Sequence, residues 1–340
     1  ALTTWTAVRR FEVRPWVAAG VVTALSAAWP LAGYATQVYP ELPAALATVG
    51  VVAITTAPGA PRPRHVVGVV LLVTALPWLA VKYVPVAAAL GGVLAWRWWR
   101  AGHHTALGWA VGALAVSGVA YLALHHLWYG GWTVYAAADH FVERGEFAVV
   151  GFDPNLPGRA RRLVGLLVDR DFGLAAWQPL WLLAVPALAV LGRRRPTGWA
   201  WLVVPLAAGW LNATFVALTM QGWWVPGRQV VVVLPLAGIA LAWWLDRAGR
   251  AWGVAAAALG AVGAVGYAWL VVDGLAHRLT WVVDFASVGD PLYGLRRMVM
   301  PNYLQVSAAT WVWQTLWLAV LAALVWAALR RDAASPTHSR

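Results

Sequence analysis

Ten apolar stretches run through the 340 residues of this chain, and basic residues collect in every second gap between them. A helix needs about 20 mostly apolar residues to cross the hydrocarbon of a bilayer. The stretches lie at 15–34, 42–57, 66–81, 84–96, 106–128, 173–192, 199–220, 230–245, 252–272 and 310–329. Their spacing predicts an all-α fold, a polytopic membrane helical bundle of about ten transmembrane helices. Two longer extracytoplasmic loops are expected at 129–172 and 273–309. The stretches 66–81 and 84–96 are joined by two residues, so a tight hairpin is expected there. Residues 1–332 read as one transmembrane domain, and 333–340 as a polar cytoplasmic tail.

Charge supports this division. Charged residues are 11% of the chain and hydrophobic ones 61%, where a soluble domain carries about 25% charged. With a cytoplasmic N-terminus, the inner segments hold fifteen arginines, from Arg9 to Arg340, against Glu12, Asp246 and Asp332. The outer segments hold ten basic residues and ten acids, so the whole net charge of +12 lies inside. This positive-inside bias predicts a multi-pass plasma-membrane protein with both termini of the chain cytoplasmic. It also explains the basic composition without nucleic acid. Trp96, Trp98, Trp99, Trp199 and Trp201 fall near inner boundaries, and Trp128, Trp132, Trp223 and Trp224 near outer ones. Indole rings favour the headgroup level, and some can also stack on sugar rings.

Absences narrow the chemistry. There is no cysteine, so disulfides, thiolate metal sites and Cys nucleophiles are excluded. No GxxxxGK[ST] occurs, so the chain carries no P-loop of its own. No Asp, Glu, Lys or Arg sits at the centre of an expected span, which argues against an ion-coupled transporter.

The candidate residues all fall in outer segments. Asp139, Glu143 and Glu146 share one face if helical, with His140 beside them. Such a face suits a divalent metal or a general base; it equally suits a solvated helix lying on the membrane. Arg159, Arg161 and Arg162 precede the apolar run 163–168, which fits either lipid phosphate or pairing with nearby acids. Lys82, the one lysine of the chain, lies at the hairpin turn beside Tyr83. It fits an anionic group or interfacial snorkelling. Arg228 follows Gly227, which lets backbone approach a ligand. Glu41 can accept a hydroxyl hydrogen bond or favour a helix N-terminus. His125 and His126 read as satisfied interfacial residues, and Asn212 is the most conspicuous deep polar side chain.

Several segments carry a resemblance. Tyr39-Pro-Glu-Leu-Pro43 opens one stretch, and Leu76-Pro-Trp-Leu-Ala-Val-Lys-Tyr83 closes another. Asp169-Arg-Asp-Phe-Gly-Leu-Ala-Ala-Trp-Gln-Pro179 enters a third, and Gln221-Gly-Trp-Trp-Val-Pro-Gly-Arg228 precedes a fourth. In this order they resemble the C-terminal two-thirds of multi-pass membrane glycosyltransferases of the GT-C type. The nearest look is to protein mannosyltransferases and aminoarabinose transferases, over about residues 30–245. The chain departs from the family pattern at Ala80 and Trp177, where that pattern has His and Tyr.

The resemblance implies a polyprenyl-phosphate-linked sugar as donor, used at the outer face within membrane lipid. It also implies a catalytic carboxylate in the first outer loop near the enzyme's N-terminus. That base is expected upstream of Ala1, with Glu41, Asp139 and Asp171 as candidates within the chain. Lys82, Arg228 and Arg170 are the candidates for donor phosphate, and Tyr83, Gln221 and Trp224 for substrate contact. No cofactor is assigned; a divalent metal at Asp139, His140 and Glu143 stays open. A lipid or polysaccharide transporter or flippase, and a non-catalytic membrane assembly subunit, are the alternative functions.

Overall fold

The computed structural model describes residues 2–137, 140, 155–217, 226–279 and 287–334, and among these it is all-helical, with no strand. The first half contains α1 (Leu2–Arg10), α2 (Pro15–Ser26), α3 (Leu31–Ala35), α4 (Glu41–Thr55), α5 (Pro63–Leu79), α6 (Val84–Arg100) and α7 (His104–Tyr129). The second contains α8 (Leu156–Ala160), α9 (Arg162–Val168), α10 (Leu174–Trp177), α11 (Ala184–Arg194) and α12 (Trp199–Leu211). It continues with α13 (Leu234–Ala248), α14 (Arg250–Leu275), α15 (Pro291–Met298) and α16 (Ala308–Ala334). Proline opens α2, α5, α6, α13 and α15 within the first two positions, where a missing N–H costs nothing. Gly130 ends α7 in the left-handed conformation, donating its N–H to the His126 carbonyl.

Among the described residues, each of the ten apolar stretches falls largely on helix. Among the described residues, five segments are long and apolar enough to cross a membrane: His104–Tyr129, Trp199–Val216, Val231–Ala248, Arg250–Leu275 and Ala308–Ala334. The expected hairpin is present, with a 3-10 turn, Val81–Tyr83, between α5 and α6. Two stretches differ from expectation. Residues 15–34 break after Ser26, because the residue before Pro30 is disfavoured in helical conformation. Residues 173–192 become α10, a 3-10 turn over Pro179–Leu183 and α11, since Gln178 is extended ahead of Pro179. Helix α16 runs on to Ala334. Helices α1 and α15 were not foreseen; both are short and largely polar.

Helix α13 is the hub. It packs on α1, α2, α4, α11, α12, α14 and α16. Of the apolar window in Val231–Ala248, 83% is buried, against 11% in α7 and in α16. A helix apolar on every side must be covered by protein or by lipid. The hub is covered by its neighbours. Helices α7 and α16 leave Trp109, Val116, Leu127, Val312 and Trp326 exposed, which suits a hydrocarbon solvent rather than water. The chain is accordingly built as a helical membrane protein.

The ion pairs keep to the division read from the charges. Arg14 and Arg247 meet Asp246, and Arg194 meets Asp332, all within the arginine-rich set. Lys82 and Arg228 meet Glu41, Arg170 and Arg297 meet Asp171, Arg278 meets Asp273, and Arg296 meets Asp290, all within the acid-bearing set. Among the described residues, no ion pair joins one set to the other.

Candidate functional site

Three segments far apart in sequence converge on Glu41. Its side chain is fully buried at the first turn of α4, where a helix N-terminus favours a negative charge. Ala80 leaves α5 in extended conformation, and the 3-10 turn that follows presents Lys82. The Lys82 Nζ donates to Glu41 Oε1 at 2.7 Å. Gly227 adopts φ of +76°, turning the chain so that Arg228 Nε donates to the same oxygen at 2.8 Å. Each cation also lies over a tyrosine ring: Lys82 over Tyr83 at 5.2 Å, and Arg228 over Tyr39 at 5.0 Å. Burial pulls the Lys82 ammonium below its ordinary range, and Glu41 opposes that shift.

The neighbouring polar atoms are incompletely used. Asn212 opens the single π-helical turn Asn212–Val216 and donates Nδ2 to the Lys82 carbonyl at 3.0 Å. Such turns recur at functional sites. Glu41 Oε2, Tyr83 OH and Asn212 Oδ1 are buried and have no hydrogen-bond partner among the described residues. An unmet buried polar group costs about 1–3 kcal/mol, so these three atoms leave hydrogen-bonding capacity unused near Glu41. Among the described residues one carboxylate faces two cations there.

A second cluster abuts the first. Asp169 is fully buried and accepts the backbone N–H of Asp171, Phe172 and Tyr303 at 2.9, 2.7 and 3.0 Å. Burial pushes its carboxyl up to about 6, against those three donors. Asp171 carries Arg297 at 2.8 Å, Arg170 at 3.3 Å and the Tyr293 hydroxyl at 3.2 Å. Burial, then Asp171, push the Tyr293 phenol well up. Trp177 donates Nε1 to the Asp171 carbonyl at 2.8 Å and stacks on Tyr293 with ring centroids 4.3 Å apart. Residues 169–177 and 290–303 are thereby held together. Trp29 lies 6.1 Å from Trp177, and a Cβ on Gly227 would meet Leu174 at 2.7 Å and Pro30 at 3.1 Å. The turn that aims Arg228 thus rests on the second cluster.

Of the residues singled out from sequence, Glu41, Lys82, Tyr83 and Arg228 come together. Arg170 and Asp171 sit in the adjoining cluster. Asp139, Glu143, Gln221 and Trp224 lie outside the described residues. His140 is described, its ring 5.7 Å from Tyr129, and no group of three metal-binding side chains occurs among the described residues. Arg159 and Arg162 have a role that sequence reading missed. Arg159 donates to the Phe215 carbonyl at 2.6 Å and Arg162 to the Ala217 carbonyl at 2.8 Å, so they cap the end of the π turn. Arg159 makes no ion pair with an acid among the described residues. His125 is satisfied as expected, with Nδ1 2.9 Å from the Tyr121 carbonyl. Arg297 and Tyr293 were also missed. Their signal is Asp290-Pro-Leu, a capped helix start that presents both on α15.

No protein-family model, curated protein or solved structure matches this chain.

Proposed function

We propose that the chain is a glycosyltransferase of the GT-C type that uses a polyprenyl-phosphate-linked sugar at the outer face of the plasma membrane. In this reading the ten stretches all cross the bilayer, the arginine-rich segments and both termini are cytoplasmic, and the Glu41 cluster lies at the outer boundary. The separation of the ion pairs into two sets supports that arrangement.

The observation that carries the reading is Lys82 and Arg228 converging on buried Glu41 beside three unmet polar atoms. A sugar phosphodiester carries one negative charge, the sign that the Lys82 ammonium and the Arg228 guanidinium attract. In transfer, an acceptor oxygen bonds the anomeric carbon and its proton passes to a base. The bond from that carbon to the phosphate oxygen breaks, and its electron pair stays on the phosphate. The phosphate then goes from one negative charge toward two. Cations held in place beforehand favour that change over the ground state. Tyr83 and Asn212 supply neutral polar contacts around the same oxygens. The cluster is assigned to holding phosphate and not to removing the proton.

The test uses the full chain purified in detergent, with polyprenyl phosphate as the binding probe and consumption of a polyprenyl-phosphate sugar as the activity readout. Lys82→Ala and Arg228→Ala should each weaken binding by about 10- to 100-fold, the value of one charge-assisted hydrogen bond. Helical content and membrane insertion should be retained. Wild-type affinity in both variants, or no binding by the parent chain, removes the reading.

A further inference from the structure

At the arginine-rich end of the molecule, away from the Glu41 cluster, α2, α13 and α14 enclose a cavity of about 710 Å³. Its walls run along α2 through Gly20 to Ala24 and along α14 through Gly253 and Ala257, and Leu180 also lines it. Gly20, Gly253 and Val254 are exposed, so the cavity opens sideways between the helices. Ideal Cβ atoms built on Gly20 and Gly253 meet nothing within 4 Å, so this space is open on both walls.

The polar lining belongs to one end. Arg14 precedes α2, Asp246 and Arg247 end α13, and Arg250 begins α14. Three guanidinium groups face one carboxylate. Asp246 takes Arg14 and Arg247, while Arg250 has no ion pair among the described residues. The first turn of α14 contains no acid, and Gly249 offers no side chain to its N–H groups. Arg250 therefore adds positive charge to the positive end of an uncapped 26-residue helix. Trp16 stands beside this mouth, 67% exposed, with the Arg14 guanidinium 4.7 Å from its ring centre.

Dimensions select the guest. Helix α2 climbs about 15 Å from Arg14 to Ala24 at about 1.5 Å per residue. That depth is half of a hydrocarbon core about 30 Å thick, or one leaflet. We infer that this cavity binds one anionic phospholipid, with its phosphate at Arg14, Arg250 and the start of α14, and an acyl chain lying between α2 and α14. Basic recesses between spanning helices on the cytoplasmic side suit such headgroups. The inference rests on membrane placement and is independent of the transferase reading.

The full chain is titrated with phosphatidylglycerol, and separately with phosphatidylcholine, in detergent; thermal stability and native mass spectrometry are the readouts. Phosphatidylglycerol should bind one per chain and raise the melting temperature, and phosphatidylcholine should do so much less. Arg250→Gln, which breaks no ion pair, should weaken phosphatidylglycerol about fivefold, the effect of one arginine near an anionic lipid. Gly253→Leu should fill the slot and abolish the stoichiometric complex while the lipid-free melting temperature holds. Equal binding of the two lipids, parent-like affinity in Arg250→Gln, or a retained complex in Gly253→Leu overturns the proposal. So does a short-chain phosphatidylglycerol that binds as well as the long-chain lipid, or a dimer of the chain that occupies the slot without lipid.

Discussion

Asp169 spends its carboxylate on backbone. Three N–H groups from two distant loops end on it, and no cation pairs with it among the described residues. Burial holds its carboxyl near 6, above the ordinary 3.8. The folded chain therefore binds a proton between about pH 4 and 6 that the unfolded chain has released. Linkage then makes this residue's contribution to stability fall as pH rises through that window. Melting of the parent chain in detergent should decline from pH 4 to 6 relative to Asp169→Asn, whose side chain does not titrate. The variant should be less stable throughout, because its amide nitrogen cannot accept from Tyr303. Parallel pH profiles would remove the assignment. At this scale the sequence was partly readable. Lys82 and Arg228 were legible as candidate anion contacts, one in a two-residue turn and one after a glycine. Their common partner was not, because residues 41, 82 and 228 meet only through the packing of α4 against the hairpin and the 3-10 turn Val231–Val233.

Helices were the most legible elements, since apolar length alone predicts them. Breaks within an apolar stretch were less so. Proline at 30 and 179 interrupts the helical ladder, but Pro77 and Pro205 sit inside α5 and α12 without ending them. Proline alone does not say which outcome holds; neighbouring helices decide whether the freed carbonyl is tolerated. The π turn that follows α12 was invisible for a related reason: Arg159 and Arg162 reach the carbonyls at its end from more than fifty residues away. Gly227 is where an element's shape governs the site. A left-handed residue with a side chain costs about 1–2 kcal/mol, and the added Cβ would press on Leu174 and Pro30. Gly227→Ala should lower the melting temperature and weaken polyprenyl phosphate severalfold, although it removes no ligand-facing group. Gly91→Ala, with open space around its Cβ inside α6, should leave binding unchanged and hold or raise stability. Equal effects of the two variants would detach Arg228 from the turn that aims it.

For the molecule as a whole, the sidedness of charge is the property that sequence shows best, because the bilayer acts on every loop at once. The absence of cysteine makes it directly measurable. Single cysteines at Ala101 and Ser307, both exposed, probe the two sets of segments. An impermeant thiol reagent added outside intact cells should modify Ser307→Cys at once, and Ala101→Cys only after the membrane is opened. Labelling of both from outside would dissolve the two-sided arrangement and the site built on it. That arrangement gives the Glu41 triad a further meaning. If the cluster holds a donor phosphate, as proposed, that phosphate finds both cations already engaged by a resident acid and would have to compete for them. Under the same proposal, a loose grip would favour rapid exchange of spent carrier for fresh, and so repeated turnover more than storage.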